Sequence, residues 1–169
     1  LAVVQNQIQH AQEEIGFEYI RFHGILDEDM RVYYEDEKGH PFTDFSRVDL
    51  LLDFALSSGL KPYIEFSYMP KLLEKNVQGT FDRAIYISAF NDERKWRFLI
   101  NGLLYHCIER YGRSQVAEWK FTTIGSNCVS TGVVSMAEYL YLYQVTYQCV
   151  NDVDQRFAFG GPGGHSSSI

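Results

Sequence analysis

The sequence predicts an α/β fold: a partial TIM (β/α)8 barrel to which this chain supplies about four parallel strands and four helices. Three observations predict it. Helical and extended patterns alternate along the 169 residues, the connections after strands are much longer than those before them, and no Gly-rich phosphate turn follows any strand. Repeated βα units of roughly 30–40 residues demand parallel strands with right-handed crossovers. Long loops after strands place function at their C-terminal ends. The missing Gly-rich turn argues against a doubly wound nucleotide-binding sheet.

Each element has its own warrant. Val4, Ile8, Ala11 and Ile15 recur every three to four residues and Gly16 follows, which predicts an amphipathic helix over 2–15. Phe17 to Phe22 is aromatic and β-branched, a strand that ends at His23-Gly24 before a long polar loop through Asp27, Asp29 and Tyr33 to Pro41. Ser46 caps a helix carrying Val48, Leu51, Leu52, Ala55 and Leu56, which stops at Gly59. Lys61 to Phe66 is the next strand, with Pro62 at its start, where no ladder donor is needed. A second long loop runs from Ser67 to Phe90. Asn91 and Asp92 then open a helix whose stripe runs from Trp96 through Leu99, Ile100, Leu103 and Leu104 to Cys107, with Gly112 as its stop. A strand over 117–123 follows, then a small polar stretch over 125–134. A Tyr-rich helix from Ser135 through Val150 comes next, and Phe157-Ala158-Phe159 makes a last strand ending in Gly160-Gly161-Pro162.

Four strands do not close an eight-stranded barrel, which takes about 250 residues. The expectation is a single domain over 1–169 that is a piece of a longer protein. Its missing strands would come from the rest of that protein, from a partner, or from a second copy in a homodimer, since the outer strands would otherwise be bare edges.

Composition narrows the function. Fifteen basic against twenty-two acidic residues give a net charge of −7, which argues against this segment gripping nucleic acid. Apolar runs break up long before the ~18 residues a membrane span needs, and no signal-peptide pattern opens the sequence. Three cysteines without CxxC spacing signal neither a disulfide framework nor a metal site. Cys107 and Cys149 fall on apolar helix faces, as core thiols of a cytoplasmic protein do. No cofactor motif is present.

The motifs, taken in order, resemble glycoside hydrolase family 39, which contains β-xylosidases and α-iduronidases. They are Tyr19-Ile20-Arg21-Phe22-His23-Gly24 with Asp27 and Asp29-Met30, Phe45-Ser46 with Val48-Asp49, and Gly59 through Pro70. Trp96, His106, Arg110-Tyr111-Gly112, Trp119 with Phe121, Tyr143 and Gly160-Gly161-Pro162 continue the series. The resemblance implies a TIM barrel whose first strand and last three lie outside this chain. In that family the strand beginning Trp-x-Phe ends in Trp-Asn-Glu-Pro, whose Glu is the acid/base. Counted from Trp119 and Phe121, those four places hold Ile124, Gly125, Ser126 and Asn127; a slip that pairs Asn127 with the family's Asn puts Cys128 at the acid. No Asp or Glu occurs between Glu118 and Glu138.

Retaining glycosidases need two carboxyls about 5 Å apart, and general acid catalysis is worth roughly 10² to 10⁴ in rate. A hydroxyl or thiol at the acid position therefore predicts no catalytic residue in this chain. The leading expectation is a degenerate barrel that binds a mono- or oligosaccharide as the effector-sensing domain of an AraC-type transcription regulator, with DNA bound by a domain outside this segment. The Thr122 to Asn127 stretch resembles such fusions. The alternative is an active β-xylosidase that recruits its proton donor elsewhere, and a third reading is a barrel that only dimerises.

The candidate ligand-binding residues are His23, Glu65, Tyr68, Ser126 and Asn127. His23 ends a strand, where its imidazole can meet a sugar hydroxyl. Glu65 either contributes to the rim or pairs with an interior cation such as Arg21. Tyr68, Tyr33 and Tyr34 are loop aromatics able to stack on a sugar, although twelve tyrosines make any one weak evidence. Tyr139, Tyr141, Tyr143 and Tyr147 fall around more than one face of their helix, as packing residues do. Ser126 and Asn127 either donate to a ligand or cap the turn.

Overall fold

The computed structural model describes residues 2–75, 89–123 and 134–161. Its frame is a four-stranded parallel sheet of β1 (Tyr19–Phe22), β4 (Lys61–Phe66), β5 (Lys120–Thr123) and β6 (Ala158–Gly160), in that spatial order. Helix α1 (Ala2–Ile15) precedes β1, and α2 (Ser46–Ser57) connects β1 to β4. Helices α3 (Glu93–Tyr111) and α4 (Arg113–Val116) connect β4 to β5, and α5 (Met136–Val153) connects β5 to β6.

Spatial order equals chain order, and that decides between the two parallel architectures. A doubly wound sheet reverses direction at its centre and carries helices on both faces. Here each right-handed crossover steps to the next strand without reversal, so successive helices fall on one face. Accordingly α3 packs along α5, α2 on β4 and α5 on β6. Sheet and helices enclose one apolar core: Phe22, Ile64, Phe66 and Phe121 from the strands meet Val48, Leu52, Leu99, Leu103, Leu142 and Val145. Phe66 stacks on Phe121 at 5.9 Å, and Phe121 meets Phe157 at 5.5 Å. Cys107 and Cys149 are buried free thiols in this core, as expected, and burial pushes Cys149 up to about 11.

Two helices start where the sequence places their caps, whereas Ser46, expected to cap α2, is its first helical residue and Phe45 holds the cap position with no side-chain bond. Asp92 accepts from the Arg94 N–H at 2.8 Å to open α3, which stops at Gly112, whose positive φ of 85° suits glycine. Ser135 and Glu138 form a reciprocal capping box at the start of α5, and Glu138 also takes the Lys75 ammonium at 2.7 Å. Lys75 and the Ser135 donors hold the Glu138 carboxyl down to about 2. Ser135→Ala is expected to cost about 1 kcal/mol in urea melts; an unchanged midpoint would mean that Lys75 alone anchors this end.

The structure departs from the sequence expectation at three further places. Residues 27–41, expected as a polar loop, contain a 3-10 turn (Glu28–Met30) and an antiparallel hairpin of β2 (Tyr33–Glu35) and β3 (Pro41–Thr43). The hairpin forms because Asp36 accepts from the Lys38 and His40 N–H groups, each at 2.8 Å, closing a turn between two aromatic-containing segments. The strand expected over 117–123 begins only at Lys120, because Arg113–Val116 continues as a short helix and Trp119 is spent filling the core. Of the α1 stripe, Ile8 packs against the core while Val4 and Ile15 remain exposed. The Tyr-rich helix, by contrast, packs its rings on more than one face as expected: Tyr139 is buried, Tyr143 and Tyr147 lie on Phe159, and Tyr141 meets Phe90. Among the described residues no helix is long and apolar enough to cross a membrane.

Candidate functional site

Alternation along β1 and β4 sorts their side chains. Ile20, Phe22, Ile64 and Phe66 turn toward the helices. Arg21, His23, Tyr63, Glu65 and Ser67 project from the opposite face, and the register that pairs Arg21 with Tyr63 brings them side by side at the C-terminal ends of the strands. Next in the sheet, Thr122 of β5 stands level with Glu65 and is buried.

Glu65 is the hub of this cluster. It is only 2% exposed, so its charge must be met locally. Arg21 donates to Oε2 through Nε at 3.0 Å and again through Nη2. The His23 Nδ1 lies 3.1 Å from the same oxygen, and the Ser67 hydroxyl donates to Oε1 at 2.9 Å. Ser67 in turn accepts the Gly24 N–H at 3.3 Å, and the Leu26 N–H reaches the Ser67 carbonyl at 2.9 Å, so the loops after β1 and β4 are tied together. The pairing of Glu65 with Arg21 is the one raised from sequence. It makes Glu65 a built-in acceptor rather than a free acid.

Tyr68 lies just beyond, joined to Ser67 by a cis peptide bond. Its ring packs on Gly24, where a Cβ would sit 3.5 Å away and where φ is 73°, two reasons that position takes glycine. Burial, reinforced by the charges of Glu65 and Asp27, raises the Tyr68 hydroxyl above its ordinary range. His23, Glu65 and Tyr68 are thus brought together, while Ser126 and Asn127, with Cys128, lie outside the described residues.

Of the other loop aromatics, Tyr34 stacks on Phe42 at 5.1 Å and helps line a cleft of about 380 Å³ with Asp27, Glu28 and Leu72. Tyr33 is buried and donates its hydroxyl to Glu35 at 2.9 Å, a packing role.

Sequence reasoning missed two members of this rim. Ser67 was legible in principle, because it stands two residues after Glu65 and shares its face. Glu74, in the loop after β4, gave no signal. It is 6% exposed, its Oε2 has no hydrogen-bond partner among the described residues, and burial with the charge of Glu28 pushes it up to about 7 against the opposing pull of Lys71. Among the described residues no group of three His, Cys, Asp or Glu could hold a metal ion.

A parallel sheet wound in one direction, with a polar cluster at its strand ends, is the layout of the (β/α)-barrel class. Comparison with known proteins narrows that class. The profile described as glycosyl hydrolases family 39 matches residues 3–169, and the chain belongs to that family. It is 37% identical over 170 residues to a β-xylosidase of Geobacillus stearothermophilus, covering 96% of this chain and 34% of that protein. To a β-xylosidase of Caldicellulosiruptor saccharolyticus it is 34% identical over 160 residues, covering 94% of this chain and 33% of the relative. The crystal structure of a monomeric β-xylosidase from Caulobacter crescentus CB15 superimposes with a TM-score of 0.88 at 29% identity, over 98% of this chain and 34% of the other. The chain therefore spans about a third of the length of the relatives it matches.

Proposed function

We propose that this chain is part of a glycoside hydrolase acting on β-xylosides, supplying four strands of a TIM barrel and one wall of the sugar pocket. The observation that carries this reading is the family match along almost the whole chain, with relatives named β-xylosidases. The rim chemistry agrees with it. Arg21, His23 and Tyr68 offer polar groups and an aromatic surface around a buried carboxylate, the mixture that recognises a neutral polyol. Cleavage needs a pair of carboxyls. Glu65 is committed to its own partners, so on this reading both come from other segments of the whole protein.

A second reading, recognition without cleavage, is favoured by one specific observation. The sequence holds no Asp or Glu between Glu118 and Glu138, and Ser126 or Cys128 stands where the family resemblance assigns the acid. The effector-sensing domain of an AraC-type regulator is the form this second reading takes from sequence. The relatives reported above, named as glycosidases, lend that form no support.

One experiment separates the readings: hydrolysis of an aryl β-xyloside by the whole protein, beside calorimetry with xylose and xylobiose. Turnover above the buffer rate supports the hydrolase. Binding heat without turnover overturns it in favour of recognition alone. Neither heat nor turnover sinks both.

A further inference from the structure

We infer that the cleft between the loop carrying the β2–β3 hairpin and the loop after β4 is an outlying sugar subsite, where Arg31, Asp29 and Tyr34 hold a further unit of a neutral oligosaccharide whose end occupies the rim. The inference rests on the β-xyloside reading for the identity of that sugar; the preference for a polyol follows from the residues of the cleft.

The volume of about 380 Å³ falls within the ~300–1,000 Å³ range of small-ligand sites. Leu26 and Val32 make a buried apolar floor, and Tyr34 is a half-buried wall whose ring is backed by Phe42 at 5.1 Å. The backbone around them is fixed before any ligand arrives. Glu28 Oε2 accepts the Lys71 N–H at 3.0 Å, Asp27 Oδ1 accepts the Asp29 N–H at 3.1 Å, and Arg47 donates to the Asp29 carbonyl. A preformed cleft has little ordering cost to meet on binding. It is also continuous with the rim: a Cβ at Gly24 would sit 3.5 Å from the Tyr68 ring and 3.7 Å from the Asp27 Cβ, so Gly24 is the seam between Tyr68 on the rim and Asp27 in the cleft. A chain of sugars crossing Gly24 reaches both.

The class of ligand follows from the groups left over. Among the described residues the Arg31 guanidinium and the Asp29 carboxylate, both on this cleft, have no hydrogen-bond or ion-pair partner. A guanidinium only donates and a carboxylate only accepts, whereas a hydroxyl does both. Neighbouring hydroxyls of one sugar therefore satisfy the two walls together. An anionic ligand would meet the carboxylates of Asp27, Glu28 and Asp29, and an ammonium would meet the cation of Arg31. Arg31 also stands at φ 52° and ψ 44°, the left-handed region that glycine enters freely and other residues enter at a cost. No contact of its side chain among the described residues offsets that cost, and a bound sugar does.

The test is a titration of the whole protein with linear xylotetraose and, separately, with xylose at matched concentration. It is read on the Tyr34 ring signals in ¹H–¹³C spectra, assigned by their loss in Tyr34→Leu, with calorimetry alongside. The expected result is that xylotetraose moves the Tyr34 signals and xylose does not. Tyr34 signals that stay put while calorimetry registers xylotetraose overturn the inference and leave the β-xyloside reading standing; equal displacement by xylose overturns it as well. Shifts at Tyr34 in a protein that leaves an aryl xyloside intact sink the hydrolase reading alone, and heat from neither sugar with Tyr34 unmoved sinks both. Arg31→Gly separates a ligand contact from a structural one, because it removes the guanidinium and the backbone strain together. It should keep or raise the urea midpoint while cutting the preference for xylotetraose over xylose roughly tenfold. A lowered midpoint with an unchanged preference would make Arg31 structural and overturn its assigned role.

Discussion

Arg21→Met is expected to lower stability by about 3 kcal/mol and to abolish ligand binding. Removing one partner of a buried ion pair strands the other charge, at a cost of roughly 3–5 kcal/mol. Arg21 is itself 37% exposed, and Ser67 and His23 still reach Glu65, so the low end of that range applies. The double change Arg21→Met with Glu65→Leu should recover most of the loss, because an apolar pair of similar volume leaves no charge to satisfy. Binding should stay absent in both, since the Arg21 guanidinium that orders the rim through Glu65 is gone from each. Urea melts of the wild type, both single variants and the double variant close the cycle. A folded Arg21→Met within 1 kcal/mol of wild type would show that the rim cluster is solvated and not coupled.

This cluster also shows how far the sequence could be read. Strand order and two of the helix caps were legible because each has a local cause, while Ser46 proved to lie one residue inside its helix. Asp92 and Ser135 are N-caps whose side chains fix helix starts, and period-two alternation fixes which side of β1 and β4 Arg21 and Glu65 share. Pairing Glu65 with Arg21 needed one assumption beyond that, that the two strands are neighbours, which parallel βα winding provides. The hairpin was not legible. Its closure depends on a single side chain, Asp36, folding back on its own turn, and Asp-x-Lys-Gly-His reads equally well as an open polar loop. The short helix ahead of β5 was missed for a tertiary reason. Trp119 has strand propensity, but it is wholly buried against Tyr111, at 5.4 Å, and so belongs to the packing below the sheet. Glu74 was invisible because its surroundings are assembled from the loops after β1 and β4, and no local pattern announces a carboxyl that tertiary structure alone removes from water.

Glu74 gives the second large prediction, and its sign follows from linkage. Its folded value of about 7 lies above the ordinary 4.5, chiefly because burial disfavours the ionised form. The folded protein thus binds this proton more tightly than the unfolded chain does. The protonated carboxyl contributes its full stability below about 4.5, and that contribution is lost as pH rises through about 7. At roughly 1.4 kcal/mol for each pH unit between 4.5 and about 7, the loss is worth about 3 kcal/mol. Glu74→Gln cannot ionise, so its stability should be level across this window and should exceed that of wild type at pH about 8 by roughly 1–3 kcal/mol, the lower figure allowing for an amide buried with little to bond. Near pH 5 the two proteins should be within about 1 kcal/mol. Subtracting one urea series from the other cancels the titration of the histidines, which both share. Equal pH slopes for the two proteins would mean that Glu74 is hydrated in solution, and the loop after β4 would then be open at this point.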